Sequence, residues 1–118
     1  MNKLLIVGRL TADPEFRGEK ESKSSRFTVA VRRSYKNSEG EYEADFINCV
    51  AFGGQAELIK DFCGKGQLVS VVGHIQIGSY EDSEGIKRKS FDCIVENLTF
   101  LESKKEETKE EKSKYSRR

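Results

Sequence analysis

The sequence predicts an all-β fold, a five-stranded Greek-key barrel with one short helix between strands 3 and 4. Five short runs of apolar or alternating residues are typical of strands, and a single stretch has apolar residues at helical spacing. Glycines inside the first and fourth runs indicate the sharp bends that barrel strands need. A flat meander with a stray helix is the alternative, but five short strands in a flat sheet would leave two exposed edges.

The first three strands are predicted from branched and alternating residues. Lys3–Leu10 is a short apolar run with Gly8 inside it, which is typical of a buried strand with a bend. Glu15–Arg17 is a candidate short strand after a turn that contains the proline. Arg26–Arg33 alternates between apolar and polar residues, as a half-buried strand does. Glu43–Phe52, with the sequence EADFINCVAF, is the third strand.

The helix and the last two strands complete the predicted barrel. Gln55–Cys63 has apolar residues at roughly helical spacing, Leu68–Ile77 is the fourth strand with Gly73 inside it, and Ser90–Leu101 is the fifth. This order is that of the oligonucleotide- and oligosaccharide-binding barrel, the OB-fold. We therefore expect an OB-fold domain over residues 1–102 and a disordered, charged tail over residues 103–118.

The charge balance does not by itself predict a nucleic-acid-binding protein. The chain has 118 residues, of which 36% are apolar and 35% charged, and its formal net charge is +1. Residues 102–118 carry seven Lys/Arg and five Asp/Glu, which leaves 14 Lys/Arg and 15 Asp/Glu in residues 1–101. The body is therefore not basic, and any contact with nucleic acid must come from local patches and stacking.

The cysteines indicate neither a metal site nor a disulfide framework. Cys49, Cys63 and Cys93 are odd in number, form no CxxC pair and are accompanied by a single histidine. They are interpreted as small buried hydrophobes in a reducing compartment, and no metal or cofactor is expected. No signal peptide precedes the first strand, and no run approaches the length of a membrane span. We expect a soluble, cytoplasmic protein.

Catalysis is the first functional class to test, and the residues do not favour it. His74 lies inside a predicted strand, without an Asp, Cys or Ser at a suggestive spacing. Gly64-Lys65-Gly66 lacks the spacing of a phosphate loop and is interpreted as the connection between helix and strand. No pair of carboxylates stands out from the charged surface. We do not expect an enzyme.

The aromatic residues divide into two groups. Phe16, Phe27, Phe62, Phe91 and Phe100 fall within apolar patterns and are predicted to pack in the core.

The second group fits a core less well. In the strand Glu43–Phe52 the even positions carry Phe46 and Phe52 with Asn48 between them, on the face opposite a small apolar row. Tyr35 and Tyr80 lie in predicted hairpin loops. These four rings either cover the core from its other side or form a platform for a flat ligand.

Bases of single-stranded nucleic acid are suitable ligands for such a platform. Stacking a base on an aromatic ring is worth roughly 1–3 kcal/mol without sequence preference. Basic residues flank two of the rings and would neutralise phosphates: Arg32, Arg33 and Lys36 beside Tyr35, and Lys87, Arg88 and Lys89 after Tyr80. Carboxylates in the same loops dilute this positive charge.

Three segments resemble the bacterial single-stranded DNA-binding protein family: NKLLIVGRLTADPEFR, FTVAVRRSY and DFINCVAFGGQAELIKDFCGKGQLVSVVGHIQ. The resemblance extends from Asn2 to about Leu101. It implies an OB-fold protein that coats single-stranded DNA on the nucleoid during replication, recombination and repair, usually as a homotetramer, with a dimer as the other possibility. The four aromatic positions on which the family stacks bases fall on Tyr35, Phe46, Phe52 and Tyr80. Because the chain has no tryptophan, we expect weaker binding at each site.

The tail departs from the family pattern. Family members typically end in a flexible linker and an acidic tip with Pro-Phe, which recruits replication and repair proteins, whereas the sequence given ends in KEEKSKYSRR. Recruitment of partners through the tail is left open. Alternative functions are an OB-fold primosome component, an RNA-binding module, because side-chain pattern does not distinguish RNA from DNA, and a barrel that binds only proteins.

Overall fold

The computed structural model describes residues 1–19 and 21–102, and the predicted tail over residues 103–118 lies outside them. The elements in chain order are β1 (Leu4–Leu10), β2 (Glu15–Arg17), β3 (Ser24–Lys36), β4 (Tyr42–Phe52), α1 (Gly54–Phe62), β5 (Leu68–Glu81) and β6 (Lys87–Phe100). Five of the strands form a barrel, and the short strand β2 pairs with the edge of β3. The predicted OB-fold is confirmed, with the helix between the third and fourth barrel strands, which are β4 and β5.

The barrel closes through one short antiparallel contact and one short parallel contact. The strand order is β1-β5-β6-β4-β3, and β3 returns to β1 through the pairs Arg9–Ala30 and Leu10–Val29. Parallel pairing of β4 with β6 is limited to Cys49–Cys93 and Val50–Ile94. Beyond these pairs, the β3–β4 and β5–β6 hairpins continue as two separate arms.

Two glycines permit the bends, as the sequence predicts. A Cβ atom on Gly8 would lie 2.3 Å from the carbonyl oxygen of Ala30, and one on Gly73 would lie 2.2 Å from that of Ile94. The register of β5 with β6 shifts between Val72 and Gly73. Each glycine therefore lets a neighbouring strand approach more closely than any side chain would allow.

The core contains small and branched side chains from the inner face of every long strand. Val29, Val69 and Val71 are fully buried, and Ile59 of α1 closes one end of the barrel. The helix is also attached by a polar contact, because the buried Ser25 hydroxyl donates to the Ala56 carbonyl at 2.7 Å. The three thiol side chains, Cys49, Cys63 and Cys93, are all buried, as predicted.

Two predicted core aromatics are exposed. Phe62 is 54% exposed at the end of α1, where its ring meets Phe100 edge to face with centroids 6.2 Å apart. Phe91 is 61% exposed. It lies on the β5–β6 arm, and no second layer of the described chain covers that arm, so alternation there does not mean burial.

The arms are longer than the sequence predicts. Strand β3 extends to Lys36 and β5 to Glu81, so Tyr35 and Tyr80 lie on strands and not in loops. Backbone pairing within each hairpin satisfies the amide groups, whatever the polarity of the side chains. No helix in the described part of the chain is long and apolar enough to cross a membrane.

Candidate nucleic-acid interface

The outer face of β3, β4, β6 and β5 is open, and the register determines which side chains lie on it. Cys49 and Cys93 pair across the barrel and both point into the core. Because successive side chains of a strand alternate, the even-numbered residues of β4 point outward. Phe46 and Phe52 are exposed there, with Asn48 between them. Val50 is an exception: it is buried, and it pairs with Arg26 of β3 on one side and Ile94 of β6 on the other.

A cleft of about 500 Å³ lies where β4 and β6 separate, and we call it the larger cleft. Phe46 from β4, Tyr80 from β5 and Phe91 from β6 all line it. Each of these rings is more than half exposed. Three aromatic faces from three strands therefore border one open space.

A second space of about 270 Å³, the smaller cleft, continues from the first toward β2. It is lined by Glu15, Arg26 and Thr28 among other residues. Asn48 and Asp92 line both clefts, so the two form one continuous groove across the outer face of the barrel. We refer to the two clefts together as the groove.

The structure brings together two of the four predicted stacking residues. Phe46 and Tyr80 share the larger cleft. Phe52 is exposed at the far end of β4, six residues from Phe46, which corresponds to about 20 Å along a strand. Tyr35 is 64% exposed near the end of β3, outside the lining of either cleft.

Two further aromatic residues are exposed on the two arms. Phe91, which was predicted to pack in the core, lies opposite Ile77 in the β5–β6 ladder, and both side chains are exposed. The apolar pattern around Phe91 gave no signal of this exposure, which follows from the length of the arm. Tyr42 is half-exposed on β4, and the Arg32 guanidinium lies 4.5 Å from its ring centroid, with the Lys36 ammonium at 5.7 Å. The even parity that Tyr42 shares with Phe46 was the available signal.

The cations of the β3–β4 arm differ in their partners. Arg33 binds Asp45 at 2.8 Å and Glu43 at 3.0 Å, and this pairing lowers the pKa of the Asp45 carboxyl. Arg32 and Lys36 lie instead over the Tyr42 ring, where a cation is attracted by the π electrons without losing its charge.

The β5–β6 arm shows the same division. Arg88 donates to Asp82 at 3.0 Å, whereas Lys89 lines the larger cleft and Lys87 lies opposite Glu81 in the ladder. All the predicted cations thus lie on the two arms that flank the groove, but Arg33 and Arg88 are already ion-paired with carboxylates.

The arrangement is suited to binding and offers little for catalysis. Among residues 1–19 and 21–102, no group of three or more His, Cys, Asp or Glu side chains could hold a metal ion. His74 contacts Glu96 through Nδ1 at 2.8 Å, on the opposite side of the barrel wall from the core. Burial raises the pKa of the Cys49 thiol far above its usual value, so this thiol is not an activated nucleophile.

A closed five-stranded barrel with an open groove of exposed rings and flanking cations defines a binding barrel of the OB-fold class. Residues 1–101 match the Single-strand binding protein family, and the chain belongs to that family.

Several bacterial proteins are similar over most of the chain. A single-stranded DNA-binding protein of Clostridium perfringens is 44% identical over 105 residues, covering 87% of this chain and 67% of that protein. Single-stranded DNA-binding protein 1 of Staphylococcus aureus is 42% identical over 88% of this chain and 63% of its own length. The Lactiplantibacillus plantarum protein of the same description is 42% identical over 90% of this chain and 54% of its own length. The chain thus spans about half to two thirds of these relatives.

Proposed function

We propose that this protein binds single-stranded DNA with little sequence preference and coats it during replication, recombination and repair. The observation that carries the proposal is the larger cleft, where Phe46, Tyr80 and Phe91 expose their rings around one open space. The similar proteins are described as single-stranded DNA-binding proteins, which supports the same ligand. We place this role in the cytoplasm, on the nucleoid.

Stacking supplies most of the proposed affinity. Each base that stacks on an exposed ring gains roughly 1–3 kcal/mol, and every base has a π face. Phe46 and Tyr80 hold neighbouring bases in the larger cleft, while Tyr35 and Phe52 extend the path toward the two ends of the β3–β4 hairpin. Asn48 adds a polar contact in the middle of the path.

Phosphate contacts come from the arms. Arg32, Lys36 and Lys89 have no ion pair among the described residues, and these cations are the first to meet a phosphate. Arg33 and Arg88 must exchange a carboxylate for a phosphate, which reduces their net contribution. Binding is therefore expected to depend on salt, with a modest slope for a body that has no net positive charge.

The proposed role is non-enzymatic. It is supported by the surroundings of the groove, which combine aromatic rings, amides and cations without a nucleophile held by a base. Incubating the protein with single-stranded DNA and Mg²⁺ should leave the DNA intact, and appearance of cleaved or modified product would contradict this part of the proposal.

Assembly into a homotetramer is the second part of the proposal, with a dimer as the smaller alternative. Leu5 and Val7 of β1 are 73% and 52% exposed and lie two residues apart on the same face of the strand, where a second copy could cover them. Within the described part of the chain, β1 pairs with β3 through Arg9 and Leu10 alone, so residues 4–7 present an edge that a second copy can extend. Light scattering coupled to size exclusion measures the state, and a monomer at micromolar concentration would contradict assembly.

Fluorescence anisotropy tests the binding proposal directly. Labelled dT oligomers, a duplex of the same length and an rU oligomer are titrated at two salt concentrations. We expect the dT oligomer to bind tightest and Phe46→Ala or Tyr80→Ala to weaken it about tenfold. Equal affinity for the duplex would refute single-strand binding, and tighter binding of rU would favour the RNA-binding alternative.

A further inference from the structure

A row of hydrogen-bonding side chains crosses the groove at right angles to the strands. Thr28 of β3 lies opposite Asn48 of β4, and Gln76 of β5 lies opposite Asp92 of β6. The parallel pair Cys49–Cys93 places the two preceding residues, Asn48 and Asp92, side by side on the outer face. This row, which we call the polar row, consists of Thr28, Asn48, Asp92 and Gln76.

The polar row lies where the groove is shared between its two clefts. Asn48 and Asp92 line both the larger and the smaller cleft, and they are the central members of the row. Phe46 is the next outward residue along β4 and also lines the larger cleft. A base stacked on Phe46 would therefore lie beside Asn48 and Asp92.

The hydrogen-bonding state of Asn48 is determined by its neighbour. The Thr28 hydroxyl donates to Asn48 Oδ1 at 3.0 Å, which leaves the Asn48 Nδ2 group pointing away from that contact with its protons unused. Asn48 therefore offers a donor to the groove.

Asp92 offers two acceptors beside that donor. Its carboxylate forms no ion pair within the described residues, in contrast to Asp45 and Asp82, which are held by arginines. This half-buried carboxylate lines the groove, where its oxygens can accept hydrogen bonds from a ligand.

We propose that Asn48 and Asp92 read the edge of one base and give this protein a preference for guanine at that position. Guanine carries N1–H and N2–H side by side, which match the two oxygens of Asp92, and its O6 acceptor lies next to them, facing the Asn48 amide. Thymine, adenine and cytosine each present donors from a single nitrogen on the same edge, so Asp92 gains only one hydrogen bond from them. The inference rests on the proposed function and refines it, because the remaining bases of the bound strand are held by stacking without selection.

Isolated guanines in a thymine background test the preference. Labelled oligomers of about 16 nucleotides contain only dT, or dT with four separated positions replaced by dG, dA or deoxyinosine. Deoxyinosine keeps O6 and N1–H and lacks the N2 amino group, so it removes one of the two donors. We expect dG to bind about fivefold tighter than dA, with deoxyinosine within about twofold of dA.

Variants assign the effect to the polar row. Asp92→Asn replaces one acceptor by a donor and is expected to reduce the advantage of dG over deoxyinosine to less than about twofold. The charge-matched control is Glu84→Gln in the β5–β6 turn, which also removes one negative charge and should shift all four oligomers equally. Asn48→Ala is expected to reduce the preference for dG over dA, since guanine loses the contact at O6.

The possible outcomes distinguish failure of the guanine preference from failure of single-strand binding itself. Failure to bind the all-dT oligomer overturns the proposed function. Binding of dT with no advantage of dG over dA overturns the guanine preference alone. A dG advantage that persists in Asp92→Asn, or that disappears equally in Glu84→Gln, also overturns the assignment to Asp92.

Discussion

The two arms of the barrel end in nearly the same turn, built on different charges. Residues 37–41 read NSEGE and residues 82–86 read DSEGI. In both turns the first side chain accepts from the backbone amides two and four residues later, at 2.8 and 3.0 Å in one and 2.9 and 3.0 Å in the other. The glycine in each turn has φ near +80°. The backbone conformation is thus satisfied equally well by Asn37 and by Asp82.

The difference lies in the second terminal atom of the side chain, which is a carboxylate oxygen in Asp82 and an amide nitrogen in Asn37. Asp82 uses it to hold Arg88, whereas Asn37 is neutral and has no charge with which to hold an arginine. On the β3–β4 arm the arginine is held by the strand instead, through Asp45 and Glu43. Identical turn geometry therefore leaves a different set of cations available for a ligand on each arm.

The largest expected effect is at the point where the β5–β6 arm leaves the barrel. Close packing of the strands there requires Gly73 of β5, whereas neither strand of the β3–β4 arm contains a glycine. Gly73→Ala would place a Cβ atom 2.2 Å from the Ile94 carbonyl oxygen and 2.8 Å from Cys93 Sγ. We expect it to lower the free energy of unfolding by about 3 kcal/mol in urea denaturation. The control Gly85→Ala, at a positive φ with no heavy atom within 4 Å of its Cβ, should cost about 1 kcal/mol. Equal costs would show that the close approach is not limiting.

The second effect compares two exposed phenylalanines. Phe91→Ala removes a ring from the larger cleft and should weaken binding of a dT oligomer about tenfold by anisotropy. Phe62→Ala removes a ring of similar exposure that packs on Phe100 at the end of the helix, and the affinity should not change. If both variants bind equally well, Phe91 is not part of the path.

A reciprocal exchange between the turns has a smaller effect. Asp82→Asn keeps the turn amides bonded, releases Arg88 and removes a negative charge, so affinity for dT should rise about threefold at low salt. Asn37→Asp adds a charge to the other arm and should lower affinity by a similar factor. Both changes should disappear at high salt, and a change that persists there would indicate altered turn structure.

The smallest effect is a pH dependence confined to one turn. The pKa of the Asp82 carboxyl is lowered by the Ile86 amide, the Arg88 guanidinium and the Glu84 amide. Its stabilisation is present above the unfolded pKa of about 3.9 and is lost as the pH falls through the lower folded pKa. We expect NMR amide signals of Glu84 and Ile86 to report loosening below about pH 4, while those of Glu39 and Glu41, bonded to Asn37, stay constant. Parallel changes in both turns would contradict this assignment.

Most of the fold could be predicted from the sequence because its determinants are local. The apolar alternation of Arg26–Arg33, the bends at Gly8 and Gly73, and the small inner row around Cys49 are all visible in short segments. The length of the arms was not predictable, since residues 34–36 and 78–81 are too polar or irregular to show a strand pattern, and their pairing comes from the partner strand.

The candidate site was predictable in part for the same reason. Phe46 was found by its parity, and the structure places it with Tyr80 on the larger cleft. The exposure of Phe91 and the ion pair between Arg33 and Asp45 were not predictable. Both depend on how separate strands are arranged, which the pattern within one segment does not show. The roles of all four predicted stacking residues in binding stay predictions for the experiments above.

The paired thiols at the barrel seam have a practical consequence. Only two residue pairs join β4 to β6, and one of them is Cys49–Cys93. Burial raises the pKa of both thiols, so an alkylating reagent reacts with them only when the seam opens. The rate at which these thiols are alkylated therefore measures how often β4 and β6 separate. If DNA follows the proposed path across the groove, it would bridge the paired segment of β4 and β6 and slow the alkylation of Cys49 and Cys93.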